Sequence, residues 1–190
     1  MVMFKLAGVL LLFLSACSNE RADGENTRDH EQRVVAETEA DDYILRAVSE
    51  QRVYEEGDDV SVTMKLMYTG SKETAEIHHA ESPFRILWSN VDSGVSWSGV
   101  VREVGKSSVL EQNKWYEETF DTADTLEEIS QSAQGTEDDE FFLEMAESEA
   151  FPPGEYELEI STEFADTPSD EDNEKKRHTY NTSLVFTVES

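Results

Sequence analysis

An all-β domain, an immunoglobulin-like β-sandwich with a short helical acidic insertion, is the fold class this 190-residue chain predicts. Three observations carry the prediction. Apolar residues recur at every second position in several stretches after residue 42. Those stretches are short and bounded by Gly, Pro, Asp and Ser. One acidic stretch between two of them switches to helical spacing. A chain near 150 residues buries roughly 70% of the surface it exposes unfolded, enough for one core. The domain is therefore assigned to residues 43–190, with the insertion at about 121–150.

The elements follow in order. Tyr43 to Val48 reads as a first strand, ended by the Glu55-Glu56-Gly57-Asp58 turn. In VSVTMKLMYTG, Val60, Val62, Met64, Leu66 and Tyr68 alternate with Ser61, Thr63, Lys65 and Met67, a half-buried strand turning at Gly70. Ala75, Ile77 and His79 suggest a third strand. Phe84, Ile86 and Trp88 suggest a fourth, begun after Pro83, which cannot donate to a central ladder. In GEYELEISTEF, Tyr156, Leu158, Ile160, Thr162 and Phe164 face one way. Glu155, Glu157, Glu159 and Glu163 face the other, spaced about 7 Å apart. Leu184, Phe186 and Val188 close the sheet. Within the insertion, Thr125 and Glu128 form a capping box ahead of Leu126, Ile129 and Ala133, with Gly135 ending the helix. A second helix over 140–149 places Phe142, Met145 and Ala146 inward.

Residues 1–16 read as a targeting segment. Lys5 precedes an apolar stretch, Leu6 to Leu14, too short for a bilayer that needs about 20 helical residues. The Leu14-Ser15-Ala16-Cys17 that follows resembles the lipobox of bacterial lipoproteins. The resemblance implies cleavage before Cys17 and a covalent lipid on its thiol, and Cys17 is the chain's only cysteine. Two acyl chains suffice for stable anchoring where one is marginal. Residues 17–42 are then expected to be a disordered acidic tether, since their composition buries too little to offset ordering entropy. About 25 such residues span roughly 25–30 Å.

Charge sets further limits. Forty-three acidic residues against 15 Lys and Arg give a formal net charge of −28, a field that repels nucleic acid. One cysteine excludes an internal disulfide framework. From Trp115 to Glu174 there are 22 Asp and Glu and no Lys, Arg or His, and Lys175-Lys176-Arg177-His178 follow at once as an internal counter-charge. Solvation accounts for the acidic segment. The alternative is a divalent cation on Glu137, Asp138, Asp139 and Glu140, or on Asp170, Glu171 and Asp172, because Ca²⁺ takes six to eight oxygens. Neither group has the glycine and terminal glutamate of an EF-hand loop.

Three stretches, VSVTMKLMYTG, VDSGVSWS (91–98) and FPPGEYELEI (151–160), resemble the domain of the bacterial intracellular proteinase inhibitor. The resemblance implies a β-sandwich and, as an alternative activity, protease inhibition. Catalytic constellations are not legible. His30-Glu31 lacks the second histidine of a zinc-protease helix, Val34 standing in its place, and Gly94-Val95-Ser96-Trp97-Ser98 lacks the final glycine of a nucleophile elbow. His78 and His79 beside Met64 and Met67 suit copper by ligand type, but adjacent strand residues point to opposite faces. Trp97 in its Ser/Gly-rich surroundings is a candidate for sugar stacking. The expectation is a non-catalytic binding module, extracytoplasmic and held to the cell membrane by the lipid at Cys17. Its partner would be an envelope protein or a cell-wall component. A cation-responsive acidic domain is the third alternative.

Overall fold

The computed structural model describes residues 33–99, 101–132, 140–166 and 175–190. In chain order its strands are β1 (Val34–Ala40), β2 (Tyr43–Ser49), β3 (Val53–Glu55), β4 (Val62–Tyr68), β5 (Thr74–His79), β6 (Phe84–Asn90), β7 (Ser96–Ser98), β8 (Lys106–Glu111), β9 (Trp115–Phe120), β10 (Gly154–Asp166) and β11 (Lys176–Glu189). Helices α1 (Thr122–Ser132) and α2 (Glu140–Ser148) form the insertion between β9 and β10. One antiparallel sheet has the order β1-β2-β4-β9. The second is built on the long hairpin β10–β11, with β3 added in parallel to β11 and with β5 and β6 both on the other edge of β10. The all-β sandwich with a short helical insertion is therefore the fold of this chain.

The core lies between the sheets and is made by the alternating residues. Leu45, Ala47, Val62, Met64 and Leu66 from one sheet meet Phe84, Trp88, Leu158, Ile160 and Phe186 from the other, all buried. Each fully buried side chain of this size is worth about 1.5–3 kcal/mol against exposure. Tyr68 lies across Gly70, where a Cβ would overlap its ring, so the turn after β4 needs glycine. Tyr156 donates its hydroxyl to the Pro152 carbonyl at 2.6 Å, which closes the Pro-Gly entry into β10.

The structure differs from the expected elements at several points. The tether does not reach residue 42, because residues 34–40 form β1, in register with β2 from Val34↔Ser49 to Ala40↔Tyr43. Val34, Ala36, Thr38 and Ala40 are half-buried while Val35, Glu37 and Glu39 are exposed. Small side chains thus carry a real period of two that the flanking charge conceals. Strands β3, β7, β8 and β9 are additions to the expected set, each only three to six residues long. Helix α1 starts three residues before Thr125. Asp121 Oδ1 accepts from the Asp124 amide at 2.9 Å, and Asp124 Oδ2 accepts from the Asp121 amide at 3.3 Å. That reciprocal cap replaces the expected one, and Thr125 is fully buried inside the helix. In α2, Phe141 is buried beside Phe142 and Met145, whereas Ala146 faces solvent.

One irregularity positions everything that follows. Strands β5 and β6 run in the same direction along one edge of β10, as a single strand would if it were continuous. Between Phe84, opposite Thr162, and His78, opposite Ala165, this side uses six steps where β10 uses three. The surplus of three residues falls within residues 80–83, which bulge out. Beyond the bulge β5 leaves to pair β8, while β6 pairs β7. The bulge is pinned from both sheets. Pro83 O accepts from the Glu163 amide and the Thr162 hydroxyl, both at 2.9 Å. Ser82 donates to Glu118 Oε2 at 2.6 Å, and Tyr116 donates to Glu118 Oε1 at 2.7 Å.

Candidate binding site at one end of the sandwich

The two sheets are joined at one end by polar side chains rather than apolar ones. Asp166, the last residue of β10, accepts from the Tyr43 hydroxyl on β2 at 2.5 Å and faces His178 Nε2 on β11 at 2.9 Å. A carboxylate offers only acceptors, so His178 Nε2 carries the hydrogen of that bond. His178 Nδ1 meets the Tyr180 hydroxyl at 2.6 Å, and Tyr180 donates to Asp41 Oδ2 at 3.1 Å. Lys176 Nζ reaches the same oxygen at 3.0 Å. Asp41 occupies the β1–β2 turn at φ 52°, a left-handed conformation that Asp tolerates.

Electrostatics follow from this packing. Hydrogen bonds from Lys176 and then Tyr180 hold the Asp41 carboxyl below its ordinary range. Burial, and then the Asp166 carboxylate, hold the Tyr43 phenol far above its ordinary range. Burial and then Asp41 do the same to Tyr180. The rings of Tyr43, Phe164, His178 and Tyr180 stack and tilt at centroid distances of 4.8–6.2 Å, so the network is enclosed by aromatic faces. The His178 side chain is 3% exposed. It is held between two phenols and a carboxylate that lock one sheet to the other. A hollow of about 260 Å³ opens at its mouth, lined by Asp41, Tyr68, Lys72, Glu76, His78 and Lys176.

A second and larger crevice, about 490 Å³, lies on the outer face of the β10–β11 sheet at the β5/β6 bulge. His78, His79, Arg85, Lys106, Lys175 and Arg177 line it, with Glu103 and Glu163. Alternation along β11 divides the basic run. Lys176 and His178 serve the inner network, while Arg177 reaches across the outer face toward Glu163. His78 and His79 point to opposite faces, as the strand period requires. His78 Nδ1 meets the Ser107 hydroxyl at 2.8 Å, and His79 Nε2 meets the Ser108 hydroxyl at 2.9 Å. Burial holds the His79 imidazole below its ordinary range.

The other expected residues fall as follows. Cys17 and the targeting segment lie outside the described residues, as do Glu137, Asp138, Asp139, Asp170, Glu171 and Asp172. Glu140 opens α2 and is exposed. Among the described residues no three His, Cys, Asp or Glu side chains come together as a metal-holding group. Met64 is a core residue at 0% exposure. Trp97 is not a surface platform. It stacks on Trp88 at 6.0 Å with planes 3° apart, and Phe141, Phe142 and Phe151 surround it. Its seat is filled because the insertion folds back over β7, which the local Ser/Gly composition does not reveal. Glu155, Glu157 and Glu159 are solvated, and among the described residues Glu163 is the one on that face with cations beside it.

Sequence reasoning missed the inner network and the part played by Arg85. The signal for His178 was present, since extending the Leu184–Phe186–Val188 alternation backward puts Thr182, Tyr180 and His178 inside. Among the described residues no helix is long and apolar enough to cross a membrane. No protein-family model and no curated protein matches the chain.

Proposed function

We propose that this protein is a non-catalytic binding module displayed outside the cell membrane, anchored by a lipid at Cys17 and binding an envelope partner through the end of the sandwich farthest from the anchor. The observation that supports the reading is the direction of β1. Arg33 enters beside Glu50 at one end, with the ion pair closing at 2.7 Å, and β1 then runs the depth of its sheet to Asp41 at the other. Seven strand residues span about 23 Å. Both hollows described above open at the Asp41 end, while the helical insertion and the close of β11 lie at the Arg33 end. A tether arriving at Arg33 therefore presents the polar end outward. The spacer in this reading comprises residues 18–33, shorter than composition alone suggested.

Fractionation tests the anchor. The wild-type chain sediments with membranes and needs detergent for release, and Cys17→Ala leaves the protein in the soluble fraction. A Cys17→Ala chain that still sediments with membranes, and resists carbonate extraction, would defeat the lipid anchor. Protease treatment of intact cells tests sidedness, since an outward-facing domain is cleaved without lysis.

A further inference from the structure

We infer that the crevice at the β5/β6 bulge is a binding site for a small soluble phosphate compound, of the size of one or two phosphate groups. The inference goes beyond the binding-module reading, adding a small-anion site at the end of the sandwich which that reading turns toward the envelope partner. Among the described residues, four of the chain's 15 Lys and Arg, namely Arg85, Lys106, Lys175 and Arg177, line this one crevice, against the two carboxylates Glu103 and Glu163. The local sign is opposite to that of a body at −28. At physiological salt the screening length is about 8 Å, so a ligand inside the crevice responds to its lining and not to the remote acidic surface. A long polyanion would have to lie along that acidic surface and is rejected, which leaves a compact anion.

The second observation is that these cations are held but not used up. Elsewhere Arg33, Arg46, Lys65, Lys114 and Lys176 each approach a carboxylate at 3.0 Å or less. Around the crevice the separations are all longer. Arg85 is 3.7 Å from Glu103 and 3.8 Å from Glu163, Arg177 is 3.8 Å from Glu163, and Lys106 is 3.9 Å from Glu81. Glu163 thus stands between two guanidinium groups and orients both without hydrogen-bonding either. A guanidinium carries five N–H donors in a flat fork that matches two oxygens of a phosphate. Arg85 projects from β6 and Arg177 from β11, on opposite sides of β10, so two forks converge on one volume from separate strands. The site exists because the three-residue surplus in residues 80–83 parts β8 from β7 and leaves the outer face concave there.

The test uses the full lipidated chain in phosphatidylcholine nanodiscs, titrated with inorganic pyrophosphate by calorimetry at constant ionic strength. Saturable one-to-one binding is expected, weakened about tenfold or more in Arg85→Gln/Arg177→Gln, a change of about 1.4 kcal/mol or more. The charge-matched control Arg46→Gln/Lys65→Gln, on the outer face of the other sheet, should bind as the wild type does. Arg85→Gln/Arg177→Gln alters exposed side chains and should keep the wild-type melting temperature, whereas the control removes two half-buried side chains with short ion pairs and is titrated well below its own melting temperature. No saturable heat with pyrophosphate overturns the inference, and so does equal weakening by the control pair, which would mark a diffuse charge effect. Loss of pyrophosphate binding when phosphatidic acid is added to the discs would make a lipid headgroup the ligand and overturn the soluble source. None of these outcomes bears on Cys17. Failure here with Cys17-dependent membrane association intact removes the ligand and leaves the display reading standing, and the converse result separates the two equally well.

Discussion

Asp166→Ala tests whether the polar end of the sandwich is a structural lock. The substitution removes the acceptor of two bonds at once, from the Tyr43 hydroxyl at 2.5 Å and from His178 Nε2 at 2.9 Å. Tyr43 is 1% exposed and the His178 side chain 3% exposed, but both line the hollow at the mouth of the network, so water entering there restores only part of the lost bonding. A hydrogen bond to a charged group contributes about 1.5–3 kcal/mol, and each buried donor left unpaired costs a similar amount. The two losses share one cavity and are not fully additive, which sets the expected cost at roughly 3–5 kcal/mol. For a domain of this size that lowers the melting temperature by about 6–20 °C. Asp166→Asn keeps the shape and one acceptor and should cost about half as much. Urea unfolding followed by tryptophan fluorescence measures both, with Tyr43→Phe and the double variant completing a cycle whose coupling is expected at about 1–3 kcal/mol. A cost below about 1 kcal/mol for Asp166→Ala, or zero coupling to Tyr43, would refute the lock.

Two further outcomes are expected. Stability falls as pH rises above about 10. Burial keeps Tyr43, Tyr156 and Tyr180 protonated in the fold where the unfolded chain ionises, so the unfolded state binds fewer protons. Each of the three contributes a slope of up to about 1.4 kcal/mol per pH unit. Urea midpoints between pH 8 and 11 (about three units) should show the decline, and a flat profile would contradict it. Trp97→Ala costs about 3–5 kcal/mol and loosens α2, because Phe141 and Phe142 lose their floor. Trp97→Phe costs much less than that. It leaves a smaller gap and removes an indole N–H that is buried without an acceptor among the described residues. Calorimetric melting of the two variants checks the order, and a stable Trp97→Ala chain would put the insertion off the core.

What was legible in the sequence, and what was not, divides along strand length and the separation of partners. The strongly alternating stretches, Val62 to Tyr68, Gly154 to Phe164 and the Leu184 to Val188 half of β11, are visible because half their residues are large and apolar and most of the rest polar. Strand β1 is hidden because its inward residues are Val, Ala, Thr and Ala, too small to stand out against Glu37 and Glu39. Strand β7 holds three residues around one tryptophan, too few for any period. The candidate site is legible only in fragments. Its residues come from Asp41, His78, Arg85, Asp166 and Lys175 to Tyr180, and only the last group is contiguous. What unites them is the slip of β5 relative to β6 along β10, which depends on pairing between strands 66 to 89 residues apart in the chain. The basic run at 175–178 reads in the sequence only as counter-charge. Its division into an inner pair and an outer pair follows from strand alternation once β11 is known to begin at Lys176.

Mechanical loading gives the course of β1 a further meaning. A pull between Arg33 and the Asp41 end of the sandwich acts along the strand axis, so the seven register pairs from Val34↔Ser49 to Ala40↔Tyr43 are strained together. That is shear, in which the ladder yields as a block, rather than peeling, in which it opens one bond at a time. A body held at Arg33 by a leash and dragged from its far end is thus gripped in its strong direction. The same strand pulled sideways, away from β2, would unzip from one end.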